Sequence, residues 1–291
     1  MLAMKTAVLF IVVLSGIGQA QPNGRSDATK ETGWYRVFMQ QAVEHEIYST
    51  ASPADKFRLL PSAIFRWENP ARGPGTGSLF LWVQEDDRPA VIGQVFRFPH
   101  HEQFGFPDQG GDHVVAHAFH SLSDGPITGV WRQRTWAPAK AGIEWKPVPD
   151  AAVPADSTGQ RMRQIRLLSR RFEAHSIDYE GGRWELRLVP KPLYRWESKD
   201  SDAAVRGALF ALCQGTDVEI LLMIEARKTA TGPQWHYACA QFGDFAMHVR
   251  LDGIDVWSVP RAPIRDLRGP FLQDVVERRD APKDAETPKE D

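Results

Sequence analysis

Cysteine is scarce in this chain: Cys213 and Cys239 are the only two among 291 residues, so at most one disulfide is open to it. An excess of charge is also missing, since 35 basic against 37 acidic side chains leave a net charge of −2. Nucleic-acid binders usually carry a basic excess, and none is present. No apolar run reaches the ~20 residues that a membrane-spanning helix needs. Neither His-Glu-x-x-His nor Gly-x-Ser-x-Gly occurs, which removes the zinc-protease helix and the usual hydrolase elbow. Gly73-Pro74-Gly75-Thr76-Gly77-Ser78 has the glycines of a phosphate loop but not its lysine, and a strand rather than a helix is expected after it. What remains is an ordinary globular composition, 42% hydrophobic and 25% charged. Its length suits one large domain or two small ones.

The first 20 residues read as an address. Lys5 precedes the apolar stretch Ala7–Leu14, and Gly18-Gln19-Ala20 offers small residues at the positions a signal peptidase reads. About 11 residues of apolar region are too few to cross ~30 Å of hydrocarbon. No cysteine follows the apolar core to be acylated. Cleavage near Ala20 is expected, giving a secreted or periplasmic protein with a disordered N-terminus over residues 21–30.

Self-comparison finds an internal likeness. Phe57–Glu68 aligns with Leu186–Glu197 at a constant offset of 129, and six of the twelve pairs are identical, Arg66-Trp67-Glu68 and Arg195-Trp196-Glu197 among them. Gly77-Ser78-Leu79-Phe80 then faces Gly207-Ala208-Leu209-Phe210. Each copy opens with a helical stripe: Tyr35, Phe38, Met39, Ala42, Val43 and Ile47 in the first, and Met162, Ile165, Leu168 and Phe172 in the second, after Ser157 and Thr158 as N-caps. Strands follow at Leu79–Gln84, Ala90–Phe98, His113–Leu122, Val130–Trp136 and Ile143–Val148. The second copy offers Ala208–Gln214, Val218–Ala226, Trp235–Phe242, Ala246–Leu251 and Ile254–Val259, with Asp252-Gly253 as a hairpin turn.

The expected fold class is therefore α+β: two tandem copies of a helix followed by an antiparallel β-meander, pseudo-twofold related. The first repeat spans 31–148 and the second 157–260. Residues 149–156 form a linker, read from the proline- and alanine-rich stretch Pro147–Pro154. The charged tail 261–291 is largely disordered, with at most one helical turn near Leu272–Arg279. In such a meander the strand Val218–Ala226 separates the two cysteines by ~9–10 Å, more than the ~7 Å a disulfide spans. Two buried thiols are expected.

Leu188-Val189-Pro190-Lys191-Pro192-Leu193-Tyr194-Arg195-Trp196, Gly207–Ala211 and Gly215-Thr216-Asp217 together resemble a group of secreted planctomycete proteins of unknown function. Ile224-Glu225-Ala226-Arg227 and Val256-Trp257 add to the resemblance, which covers most of the mature chain. Val218 departs from it, standing where a proline is expected. The resemblance implies a bacterial exported protein and brings no activity or site.

Three groups of residues are candidates for chemistry. His100, His101, His113, His117 and His120 cluster with Glu102, Asp108 and Asp112. On a strand His113 and His117 stand ~13 Å apart, too far to share one ion, and His120 points to the other face. No metal site is expected, and no cofactor. Arg66, Glu68, Arg195 and Glu197 are the polar residues of the repeated motif. Either each arginine pairs its glutamate around a buried tryptophan, or the four face one groove and bind a carboxylate or phosphate. Ten tryptophans, finally, suit sugar stacking or a core equally.

Function stays open among three classes. The leading expectation is an exported, non-catalytic binding or scaffold protein, with a small anionic ligand or a glycan as partner. The alternatives are a metal-dependent hydrolase using the His100–His120 segment, and a glycan- or lipid-binding module with its cleft between the repeats.

Overall fold

The computed structural model describes residues 33–52, 54–69, 75–99, 113–197, 206–263 and 265–282. The expected leader and the polar stretch after it lie outside these residues. The first half runs α1 (Gly33–Val43), β1 (His45–Ser49), β2 (Arg58–Leu59), β3 (Phe65–Asn69), β4 (Gly75–Val83), β5 (Pro89–Pro99), β6 (His113–Ser121), β7 (Ile127–Trp131), β8 (Arg134–Trp136) and β9 (Lys146–Pro147). The second runs α2 (Thr158–Ser169), β10 (Phe172–Ile177), β11 (Arg183–Leu188), β12 (Tyr194–Glu197), β13 (Arg206–Gln214), β14 (Asp217–Thr229), β15 (Gly232–Gln241), β16 (Ala246–Leu251), β17 (Ile254–Val259) and β18 (Phe271–Arg279).

The strands form three antiparallel sheets. One has the order β18-β6-β5-β4-β2, with β3 also on β4. A second has the order β17-β16-β10-β11-β13-β14-β15-β9, with β12 also on β13. The third is β1-β7-β8. Pairings run in parallel through the two halves: β1–β7–β8 matches β10–β16–β17, and β3–β4–β5–β6 matches β12–β13–β14–β15.

The α+β expectation is corrected here. Among the described residues eighteen strands stand against two helices of 11 and 12 residues, and the sheets are large and curled. Neither half is a plain meander, because the first strand after each helix reaches across to the sixth strand after it. The helical stripes are real but short. Ile47 and Phe172, counted into them, lie in β1 and β10 instead.

The reason lies in the long strands. Leu79–Val83 and Val218–Ala226 are buried without a break, so both faces of each sheet need cover. A helix of about three turns covers one face only. Accordingly α1 lies over Phe80, Trp82, Val95 and Val115, while α2 lies over Phe210, Leu222 and Ile224. The other faces meet each other: Trp67, Leu79, Leu81 and Ile92 pack with Trp196, Leu209, Ala211, Leu221 and Met223. The cleft expected between the repeats is filled core.

Two boundaries also change. Lys146–Pro147, placed at the end of the first repeat and the start of a linker, pairs with β15 of the second half. Proline is tolerated there because β9 is an edge strand. The tail expected to be disordered contains β18, which pairs along the whole of β6. All but the first residue of β6 are buried, so its outer backbone groups need a partner. Each half's sheet is thus completed by the strand that follows the other half.

Cys213 faces the core between the sheets and Cys239 faces α2, on opposite sides of their sheet. Both are free and buried, and burial pushes both thiols up to about 12.

The repeated tryptophans have repeated seats. Trp67 pairs across from Gly77, and Trp196 from Gly207. A Cβ at Gly77 would lie 2.7 Å from the Trp67 ring, and one at Gly207 2.1 Å from Trp196. Gly207→Ala is therefore expected to cost about 1–3 kcal/mol through overpacking. Urea denaturation measures it; an unchanged midpoint would mean that Trp196 is not held against the strand.

Candidate functional site

Strand register places one set of polar residues in line across the first sheet. Arg66, Ser78, Val95, His117 and Asp274 are successive cross-strand partners on β3, β4, β5, β6 and β18. The matching row of the second half reads Arg195, Ala208, Ile224, Tyr237 and Lys146. Beside the first row, His45 pairs with Trp131 and Trp131 with Arg134. The matching positions of the second half hold Phe172, Leu251 and Ile254.

His45, His117, Trp131, Arg134 and Asp274 line a partly open pocket of about 20 Å³, room for one water-sized occupant. His45, His117, Phe119, Trp131 and Trp136 supply aromatic walls. Leu267 and Leu272 close it from the C-terminal segment, and Arg134 and Asp274 complete it. The His45 and His117 rings lie 5.1 Å apart between centroids, close to the 5.0 Å of Phe172 and Tyr237. Trp131 stacks on His45 at 5.4 Å and 3°. The two halves therefore build the same ring pair, once from imidazoles and once from a phenyl and a phenol.

The imidazoles are not needed for packing, and they are poorly satisfied. His45 Nδ1 lies 2.7 Å from the Gln41 carbonyl oxygen. A carbonyl only accepts, so Nδ1 carries the proton and Nε2 presents a lone pair. That Nε2 is buried with no hydrogen-bond partner, and so is His117 Nδ1. Burial lowers the pKa of His45 to about 4, against the Gln41 bond, which works the other way. Burial also takes His117 well below its ordinary value, helped by His45 and Arg134. Both rings are neutral at pH 7. Asp274 is buried and bonded by Arg134, by Arg265 Nε at 2.7 Å and by the Val275 N–H at 2.8 Å. Arg132 pairs with Glu44 at 3.3 Å and Glu277 at 3.6 Å. Glu277 is shared with Arg279 at 3.2 Å, so four arginines stand against three carboxylates in this network.

The residues singled out from the sequence are not gathered in one groove. Trp67 and Trp196 point into the core between the sheets, so Arg66, Glu68, Arg195 and Glu197 lie on the outer faces of two different sheets. The Arg66 guanidinium lies 3.5 Å over the Tyr35 ring. Arg195 and Glu197 border a groove of about 270 Å³ beside Thr158, Arg161 and Met162 of α2. His113 meets Trp34 edge-on at 5.0 Å, and His120 Nε2 bonds the Gly142 carbonyl at 2.9 Å on the other face of β6. His100, His101, Glu102, Asp108 and Asp112 lie outside the described residues. Among those described, no group of three or more His, Cys, Asp or Glu is placed to hold a metal ion. Seven of the ten tryptophans are buried and only Trp184 is largely exposed, so they serve the core rather than a sugar platform.

His45, Trp131, Arg134 and Asp274 escaped the reading of the sequence. A signal for His45 was present: it interrupts the apolar spacing between Ala42 and Ile47, where the second half has Phe172. Asp274 was hidden because its strand looked like a disordered tail. No family model matches the chain, and neither a curated protein nor a solved structure is significantly similar to it.

A pH dependence follows from the buried rings. Their folded-state pKa values lie below the ordinary 6.5, so the unfolded chain takes up protons first as the pH falls. Stability is full above about pH 6.5 and declines towards pH 4, by about 2–3 kcal/mol for His45 alone. Urea denaturation at pH 7.5 and 4.5 measures the loss. His45→Phe with His117→Tyr should shrink it; an equal loss in that variant would mean the rings are not buried and neutral.

Proposed function

We propose that the chain is an exported, non-catalytic binding protein whose single small occupant sits among His45, His117 and Trp131. One observation carries this reading: the first half places two under-bonded imidazoles where the second half uses Phe172 and Tyr237. An unsatisfied buried polar group costs about 1–3 kcal/mol, and the second half builds the same ring pair without that cost. An occupant bonded to the imidazole nitrogens accounts for their presence. The pocket's volume favours an ion or a very small molecule over a glycan or a lipid. Export rests on the leader expected over residues 1–20 and agrees with the resemblance to secreted planctomycete proteins.

The test replaces the site with its counterpart. His45→Phe with His117→Tyr is expected to fold and to lose the occupant. Native mass spectrometry and thermal-shift screening of the full chain, against a panel of metal ions and small neutral molecules, compare it with wild type. Identical spectra and identical shifts for the two proteins would refute the reading.

A further inference from the structure

We propose that the occupant is a small monovalent anion of the halide class, taken up together with one proton that lands on the His45 and His117 ring pair. This names the ligand of the binding reading above and rests on it.

The charged side chains that act on the two rings have one sign. Arg132 acts on His45, and Arg134 and Arg132 both act on His117. Arg134 also lines the pocket. Asp274 lines it too, but its carboxylate is neutralised by Arg134, by Arg265 Nε at 2.7 Å and by the Val275 N–H at 2.8 Å. Glu44 and Glu277 pair with Arg132 at 3.3 and 3.6 Å, and Glu277 is shared with Arg279. Four arginines against three carboxylates leave one positive charge in excess around the pocket. Trp131 gives a cation no welcome either. It already stacks on His45 and carries the Arg132 and Arg134 guanidiniums at 4.8 and 5.9 Å from its ring centre.

A proton has to come with the anion. His45 Nδ1 donates to the Gln41 carbonyl at 2.7 Å, so its buried, unbonded Nε2 carries only a lone pair while the ring is neutral. A lone pair repels an anion. Protonated, the same nitrogen becomes a donor, and charge-assisted hydrogen bonds are roughly twice as strong as neutral ones. His117 has a buried, unbonded Nδ1 as a second place for the proton. A proton alone would sit uncompensated beside two arginines. Proton and anion together add no net charge, which avoids the cost of burying an isolated ion. The space decides the class of anion. About 20 Å³ takes one water-sized occupant, which leaves out the carboxylates and phosphates that arginines usually bind. The second half, with Phe172 and Tyr237 at these places, has no ring nitrogen to protonate.

The experiment compares urea unfolding of the full-length chain in sodium chloride, bromide, sulfate and gluconate at equal ionic strength, at pH 5 and pH 7.5. Calorimetric titration with bromide, in two buffers of different ionisation heat, counts the protons taken up. Chloride and bromide are expected to raise the midpoint over gluconate at pH 5 and far less at pH 7.5. One bromide should enter with about one proton. The empty pocket holds His45 near 4, so affinity should rise by up to about tenfold per pH unit from about 6.5 down to 4, then level off. His45→Phe with His117→Tyr should abolish the halide effect. If that variant does not fold, Arg132→Gln, at a half-exposed side chain, should weaken bromide several-fold with the proton still taken up; unchanged affinity would overturn the proposal. Sulfate or gluconate acting as strongly as chloride, or bromide entering without a proton, would overturn it as well. If halides do nothing while another probe gives a shift that the double variant abolishes, this inference fails and the binding reading stands.

Discussion

Everything in this molecule depends on two sheets that must each be covered on both faces. The apolar runs of β4 and β14 leave no solvent side, and a short helix shields only one. Packing sheet on sheet meets the requirement, and Trp67 and Trp196 carry much of it, since burying a tryptophan is worth about 3–5 kcal/mol against alanine. The glycines beneath them are the other half of that contact. Where the sheets meet at their rim, Arg88 bridges Asp124 at 2.8 Å and Glu225 at 3.0 Å, tying a turn of the first half to a strand of the second. Burial raises the Glu225 pKa, and the Arg88 charge opposes that rise.

Much of the β structure was legible from residue pattern. The runs at Leu79, Ala90, His113, Ala208, Val218, Trp235, Ala246 and Ile254 became strands, and Asp252-Gly253 became a turn with both residues at positive φ. Local pattern could not show what covers a strand. Alternation and continuous burial look alike until the partner layer is known, which is why the fold class was misjudged. The short strands β1 and β2 carry too few residues to announce themselves. β18 reads Phe-Leu-Gln-Asp-Val-Val-Glu-Arg-Arg, too charged for a strand unless β6 is waiting for it. The aligned Arg-Trp-Glu motifs marked a packing device correctly and a ligand site poorly, because the tryptophan and its neighbours face opposite ways.

The candidate site was invisible for a different reason. Its members lie far apart in sequence, at His45, His117, Trp131 and Asp274, and only strand register brings them into line. Comparing the halves position by position, through hydrogen-bonded pairs rather than by alignment, reveals His45, Arg134 and His117 where the second half has Phe172, Ile254 and Tyr237. Identity between the aligned segments pointed to the scaffold, whereas the difference between the two halves points to the candidate site.

β18 has a consequence for how the protein comes into being. The imidazole at position 45 emerges from the ribosome well before the strand bearing Asp274 and Leu272. Until then β6 has a bare edge and the pocket lacks a wall. A chain cut before β18 therefore lacks two of the residues that line the pocket, Leu272 and Asp274, whatever its first half has already folded.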